Sequence, residues 1–416
     1  MKKRAILCFD LKSFYASVEC ALRNLNPYTT PLVVADPARA GSIVLAVSPY
    51  LRAKGYPSRM RLYEVNKVKD LIIARPRMQT YLDYALKVID IYLDYVSEED
   101  LFVYSIDEVF LDVTNYLNYY RLSKEELAGK ILKEIYSKLF LYATCGIGEN
   151  MLLAKLALDL ESKKSKNYLA VWNYEDIKTK LWPVSPLSKM WGIGERMERN
   201  LAQLGIVTVY DLAHYNVNVL RKLFGVIGVE LYHHANGRDL SKIQDQNKLK
   251  ALNKRYSIGQ VLFKDYSLEE AKLIIKEMAE ELARRLRLNK KMAFVVTLAV
   301  GYSKLFGGGF KRQMRMENKT RLKSELSHYY LILLENNYEK KPIRKISIGV
   351  TNLTTDKASQ LTLFKDYLKA DLEEKLESSL DEIKMRFSNN SVDKATVLLD
   401  YSTKRRRNKT IGGHYA

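Results

Sequence analysis

Two acidic segments far apart in the chain carry the side chains that chemistry on phosphates requires. In Phe9-Asp10-Leu11-Lys12-Ser13-Phe14-Tyr15-Ala16-Ser17-Val18-Glu19, a carboxylate stands where an apolar run, Arg4 to Asp10, stops just ahead of a helical pattern at Phe14 to Leu25. In Ser105-Ile106-Asp107-Glu108-Val109-Phe110-Leu111-Asp112, two adjacent carboxylates stand at the turn expected between two strands within Leu101 to Thr114. If those strands pair with the first, Asp10, Asp107 and Glu108 converge on one edge of a sheet, while Asp112 reads as structural. Hard divalent cations prefer such oxygen-rich ligation, and magnesium keeps several waters and recruits substrate phosphates to complete its octahedron.

The elements that must position these residues follow from hydrophobic periodicity. Further strands are expected at Leu32 to Ala35, Ser42 to Ser48 and Tyr142 to Ile147, with helices at Met78 to Val96, Leu122 to Leu139 and Met151 to Leu160. Hairpins mixed with crossover helices favour an α+β sheet, of ferredoxin-like or palm type, with helices on one face. Beyond Ser162 to Asn167 the pattern becomes helical, with glycine turns at Gly192-Ile193-Gly194 and at Phe224 to Gly228, the second ahead of a helix at Glu230 to Ala235. The two turns resemble helix-hairpin-helix elements, in which backbone amides hold a DNA phosphate without reading sequence. Gly237 to Asn253 is polar and reads as a linker. Strands at Tyr256 to Phe263, Phe294 to Gly301, Gly309 to Met316 and Ile343 to Thr351, with helices at Leu268 to Leu288 and Asn318 to Leu334, make a second α+β domain.

Charge is distributed unevenly over the 416 residues. The chain carries 68 Lys and Arg against 48 Asp and Glu, a net charge of +20. Residues 1–120 hold 15 basic and 14 acidic side chains, or +1, whereas residues 241–350 hold 24 and 11, or +13. The excess is regional and points to a polyanionic partner held by the second domain. Three scattered cysteines, Cys8, Cys20 and Cys145, exclude a disulfide scaffold and a zinc cluster. No apolar run reaches membrane-spanning length, so a cytoplasmic protein, without a membrane partner, is expected.

Together the two acidic segments resemble those of Y-family translesion DNA polymerases, of the bacterial UmuC/DinB-like branch, in order and in spacing. The resemblance implies a right-hand, multidomain α+β fold: a palm at 1–15 and 75–170, small fingers at 16–74, and a helical thumb with helix-hairpin-helix elements at 171–240. A linker at 241–250, an α+β little-finger domain at 251–355, and a clamp-binding segment with a basic tail at 356–416 complete it. It also implies error-prone, template-directed DNA synthesis in DNA repair, the SOS response and mutagenesis, on primer-template DNA and deoxynucleoside triphosphates. Carried over by position, Asp10, Asp107 and Glu108 hold two Mg2+ ions, with Mn2+ as a substitute, and the carbonyl of Leu11 completes one of them. Tyr15 is the steric gate and Phe14 lines the same sugar pocket. Arg52 grips the triphosphate, although the chain has Pro49 where the family often has Tyr. The palm lysine is Lys163 or Lys164, the register being one residue longer than the family's.

DNA is expected to meet Gly192 and Gly194 in the thumb, and Lys254, Arg255, Lys311, Arg312 and Arg315 in the little finger. Gln360-Leu361-Thr362-Leu363-Phe364 looks like a bacterial sliding-clamp-binding pentapeptide, with Gln360, Leu361, Leu363 and Phe364 as anchors. Accessory activators are further expected partners. Two rival readings stand beside this one. The first is a non-catalytic clamp- and DNA-binding protein that occupies primer ends, which has no need of three carboxylates. The second is a palm-type nucleotidyl cyclase, which has no use for glycine hairpins or a clamp peptide.

Overall fold

A computed structural model describes residues 4–38, 41–248, 255–355 and 367–415. The chain divides into two compact units, Met1–Lys250 and Ala251–Ala416.

The first unit is built on strands β1 (Ile6–Leu11), β2 (Leu32–Val34), β3 (Ala46–Val47), β4 (Ile72–Ala74), β5 (Leu101–Val103), β6 (Glu108–Asp112), β7 (Ala143–Gly148) and β8 (Leu169–Trp172). Its main sheet runs β5-β6-β1-β7-β8, antiparallel except for the last pair. Strand β1, a crossover through the helix Met78–Leu93, the hairpin β5–β6, the helix Lys124–Leu139 and strand β7 form the ferredoxin-like split βαβ expected. The apolar run that marks β1 has a different cause from the one-faced sheet anticipated: both faces are covered. Ile6 and Cys8 pack with Phe110, Met151, Ala154, Leu158 and Ile243 on one side, and Phe9 meets Tyr92 of the helix Met78–Leu93 on the other, ring centroids 5.1 Å apart. On the first side the helix Met151–Leu156 lies so close that a Cβ on Gly146 would come within 2.1 Å of the Ala154 carbonyl.

Several expected elements differ in the structure; the helix expected from Asn318 begins at Lys323, because Asn318 to Thr320 extend the strand Gly309–Thr320. The strand at Ser42 to Ser48 shrinks to Ala46–Val47: Ile43 makes an isolated bridge to Arg61 instead, and Ser48 caps a helix, Pro49–Ala53, with Pro49 in its first turn. That explains Pro49 locally: its fixed φ starts the helix that carries Arg52. The helix expected to reach Leu160 turns from α to a wider π turn at Ala157–Glu161. Residues 241–250 are no free linker, since they contain the helix Ile243–Lys248. Ile243 is wholly buried among the residues behind β1, and Arg4 donates to the Ser241 carbonyl at 2.8 Å.

A three-stranded sheet, β3-β2-β4, closes over Val33, Val44, Val47, Leu51, Leu62 and Val65 within 16–74. Past β8 come the helices Glu195–Ala202, Val209–His214 and Val217–Ala235. Gly194 stands at the N-cap of the first. The second glycine turn is tighter than expected: Val217–Ala235 is helical on both sides of Gly225 alone, at φ 64 and ψ −142. Only glycine adopts that conformation without strain.

The second unit is an antiparallel sheet, β11-β10-β12-β9, of β9 (Arg255–Tyr266), β10 (Ala293–Tyr302), β11 (Gly309–Thr320) and β12 (Ile343–Thr351). Val296, Leu298, Val300, Ile346, Ile348 and Val350 pack on the helices Leu268–Leu288 and Lys323–Glu335. The C-terminal residues fold back on this unit. Arg287 meets Asp381 at 2.7 Å and Glu377 at 3.3 Å on the helix Tyr367–Arg386, and Lys404 meets Glu280 at 2.6 Å. The start of the basic run at Lys404 to Arg407 is therefore turned inward onto acids.

Candidate active site

Strand register brings the predicted carboxylates together. Asp10 and Glu108 are direct partners across β1 and β6. Asp107 precedes β6, and its carbonyl accepts the Leu11 amide at 2.9 Å, so the turn is pinned to the end of β1. Ser105 donates to Asp107 Oδ1 at 2.7 Å. After Leu11 the chain turns through Ser13, whose left-handed φ of 49 is rare outside glycine and marks a constrained turn. The turn starts the helix Phe14–Ala21 directly beside the acids.

Two lysines neutralise the cluster. Lys155, buried, meets Glu108 Oε2 and Asp159 Oδ2, each at 2.9 Å. Lys163 meets Asp10 Oδ2 at 3.1 Å and Asp159 Oδ1 at 2.8 Å. Of the two candidate palm lysines, both exposed, it is therefore Lys163 whose ammonium reaches the acids. Burial raises the carboxyls of both Asp10 and Glu108 above the usual range; Lys163 and Lys155, respectively, pull against it. Burial also lowers the two ammoniums, but their carboxylate partners outweigh it and both end raised. Sequence reasoning missed Lys155. The signal was present: it is the single charge in the apolar run Met151 to Leu158, and a lysine inside such a run needs a buried partner.

Among the described residues no three His, Cys, Asp or Glu side chains stand close enough to hold a metal ion. The donors nonetheless fit a hard divalent cation. Asp10, Glu108 and Asp107 offer only oxygen, from two paired strands and the turn that leads into one of them, and the ammoniums at Asp10 and Glu108 show that this negative charge takes cationic compensation.

Next to the acids stands Tyr15, half-buried, its hydroxyl raised by burial and by the nearby Asp107 carboxylate. Phe14 is buried, so of the two aromatic residues assigned to a sugar pocket only Tyr15 presents partly accessible surface. Lys12 lies over the Tyr168 ring, 4.2 Å from its centroid.

Comparison with known proteins decides the family. Residues 9–159 match the impB/mucB/samB family, 253–363 its C-terminal domain and 174–206 its helix-hairpin-helix motif. The chain is 38% identical to a protein named for UV-damage repair, UvrX of Bacillus subtilis, over 99% of this chain and 98% of that one. It is 33% identical, over the whole of both chains, to DNA polymerase IV 2 of the same organism. The chain belongs to the Y family of DNA polymerases. Its fold is also that of a solved Y-family DNA polymerase chimera of Dbh and Dpo4, with a TM-score of 0.66 at 20% identity, covering 85% of this chain and all of that one.

The other residues expected from this family lie as follows. Arg52 is exposed on the helix Pro49–Ala53. Gly192 and Gly194 are exposed on either side of the buried Ile193. In the second unit, strand alternation separates the basic residues. Arg315, Val295, Thr351 and Arg255 share one row across the sheet, and Lys311, Ala299, Ser347 and Gly259 another on the same face. This face, opposite the helices, has small residues at its centre and exposed Arg255, Lys311, Arg315 and Lys345 around it. Arg312, one residue from Lys311, takes the other face, and its Nε meets Asn337 Oδ1 at 3.1 Å. Lys254, Gln360, Leu361, Leu363 and Phe364 lie outside the described residues.

No helix among the described residues is long and apolar enough to cross a membrane.

Proposed function

We propose that the chain is an error-prone, template-directed DNA polymerase acting in translesion synthesis by two-metal nucleotidyl transfer, and that a bacterial sliding clamp tethers it. The observation that carries this reading is the cross-strand pairing of Asp10 with Glu108, with Asp107 pinned beside them by the Leu11 amide. Asp10, Asp107, Glu108 and the Leu11 carbonyl are the ligands for two Mg2+ ions, or Mn2+ in their place. Ions held there supply activation of the primer 3′-hydroxyl and neutralisation of the leaving pyrophosphate. The protein's own groups do the rest. Lys163 and Arg52 bind the triphosphate, consistent with a partly exposed ammonium and an exposed guanidinium. Tyr15 lies under the incoming sugar and rejects a 2′-hydroxyl.

The domain assignments follow the same reading: palm at 1–15 and 75–170, fingers at 16–74, thumb at 171–240 and little finger at 251–355. In the little finger the Lys311 and Arg315 face holds duplex phosphates. Gln360, Leu361, Leu363 and Phe364 engage the clamp, raising the effective concentration of enzyme at the primer end.

Primer extension on undamaged and abasic templates with Mg2+ tests the proposal, comparing the native chain with Asp107→Ala and with a Leu363→Ala/Phe364→Ala double variant, with and without clamp. The expected result is synthesis lost in Asp107→Ala, and clamp stimulation alone lost in the double variant. Absence of synthesis by every form, with tight primer-template binding retained, would favour a protein that only occupies primer ends.

A further inference from the structure

Glu19 is wholly buried, and neither the acidic cluster nor the phosphate contacts use it. A buried carboxylate must be paired to remain ionised, and this one is bound from three sides. Its Oε1 accepts from Arg77 Nε at 3.0 Å and from the Tyr81 hydroxyl at 2.8 Å. Its Oε2 accepts from Arg77 Nη2 at 2.7 Å, and Arg23 closes the set. Burial alone would raise Glu19, but the hydrogen bonds from Arg77, Arg23 and Tyr81 outweigh it and hold the carboxyl below its ordinary value.

The placement of these groups is regular. Tyr15 and Glu19 are four residues apart on the helix Phe14–Ala21, hence on one face. Arg77, at the N-cap of the helix Met78–Leu93, and Tyr81, in its first turn, are likewise four apart. The Tyr15 and Tyr81 rings stack with centroids 4.6 Å apart and planes 19° apart. Four side chains thus form a two-by-two lattice, in which the bidentate Arg77–Glu19 pair fixes Tyr81 and Tyr81 braces the Tyr15 ring near Asp107.

We propose that Glu19 and Arg77 are positioning residues that hold Tyr15 in place through Tyr81, and so set how strictly the enzyme refuses ribonucleotides. The proposal rests on the reading of Tyr15 as the sugar gate. A ring that excludes one hydroxyl by contact must be held to within about 0.5 Å, since a ring free to tilt yields to the larger sugar. An aromatic stack alone leaves sliding freedom along the ring plane. A charge-assisted hydrogen bond from the Tyr81 hydroxyl to a carboxylate clamped by a guanidinium fork removes it. A device meant only to fasten the two helices would not need a buried carboxylate, because apolar residues of similar volume often stabilise as well as a carboxylate that must be paired to be buried.

The experiment measures kcat/KM for a deoxynucleotide and for the matching ribonucleotide on one primer-template, for the native chain, Tyr15→Ala, Glu19→Gln and Tyr81→Phe, with a thermal melt of each. The ratio of the two constants is indifferent to the fraction of chain that is folded, which separates positioning from stability. Tyr15→Ala is expected to give the largest rise in relative ribonucleotide use. Glu19→Gln should raise it by about tenfold, a size ordinary for loss of a specificity contact, and Tyr81→Phe, which keeps the ring and loses only its hydroxyl, by less. Tyr81→Phe carries the test if Glu19→Gln does not fold. A rise in Tyr15→Ala with native ratios in the other variants overturns the positioning role while leaving the gate intact. A native ratio in Tyr15→Ala overturns the gate reading and this proposal with it.

Discussion

Lys155 and Lys163 stand eight residues apart on one helical stretch and share Asp159, yet burial gives them different work. The Lys155 side chain is 8% exposed and compensates a buried Glu108, whereas that of Lys163 is 36% exposed. Removing one partner of a buried pair leaves an uncompensated charge and costs about 3 kcal/mol or more; breaking an exposed pair costs about 1 kcal/mol or less. Lys155→Met should therefore lower the urea midpoint markedly, and Lys163→Ala should leave it nearly native while raising KM for the nucleotide. Equal midpoints for the two variants would contradict that division. The three carboxylates were legible in the sequence because each stands at the end of a strand pattern. The lattice around Glu19 was not, since Arg77 and Tyr81 reach it from a helix some sixty residues away, and helical periodicity reports a buried face without naming the polar group inside it.

Elements decide which basic residues can share a phosphate surface. Composition marks the second domain as basic, but pleating assigns Lys311 and Arg315 to one face and Arg312 to the other. Lys311→Ala should weaken DNA binding uniformly across sequences and reduce the slope of log K against log salt by about 1, and Arg312→Ala should leave that slope native. A larger loss in Arg312→Ala would reverse the assignment. The helices around Glu280 carry a pH dependence. Burial raises this carboxyl, but Lys404, Lys323 and Lys384 outweigh it and hold it down at about 2, against an ordinary 4.5. A carboxyl depressed by folding stabilises above its unfolded value and loses that contribution as pH falls through its folded one. The second unit should thus lose roughly 3 kcal/mol between about pH 4.5 and 2. Glu280→Gln should flatten that limb in an acid titration followed by circular dichroism, and an unchanged limb would contradict the origin given. Sequence could not supply this: a lone Ile243 in a polar stretch, and basic residues in a tail, reveal their burial only through partners distant in the chain.

At the scale of the whole molecule, the proposed function assigns chemistry and grip to different units. The near-neutral first 120 residues hold Asp10, Asp107 and Glu108, and the basic sheet face belongs to the unit that begins at Ala251. Family membership was readable from two short acidic motifs, and the ferredoxin-like core from the order of hairpins and crossover helices. The expectation of helices on one face failed because it followed the order of hairpins and helices, whereas the continuous apolar run of β1 is itself the mark of a strand covered on both faces. The central claim is that the acidic cluster between β1 and β6 performs template-directed transfer. Single-nucleotide incorporation, with each of the four deoxynucleotides offered in turn to the native chain and to Asp107→Asn at matched primer-template occupancy, tests it most directly. Expected are preferred addition of the templated nucleotide by the native chain and a loss of about a thousandfold in Asp107→Asn. Native rates in Asp107→Asn, or addition indifferent to the template base, would contradict it.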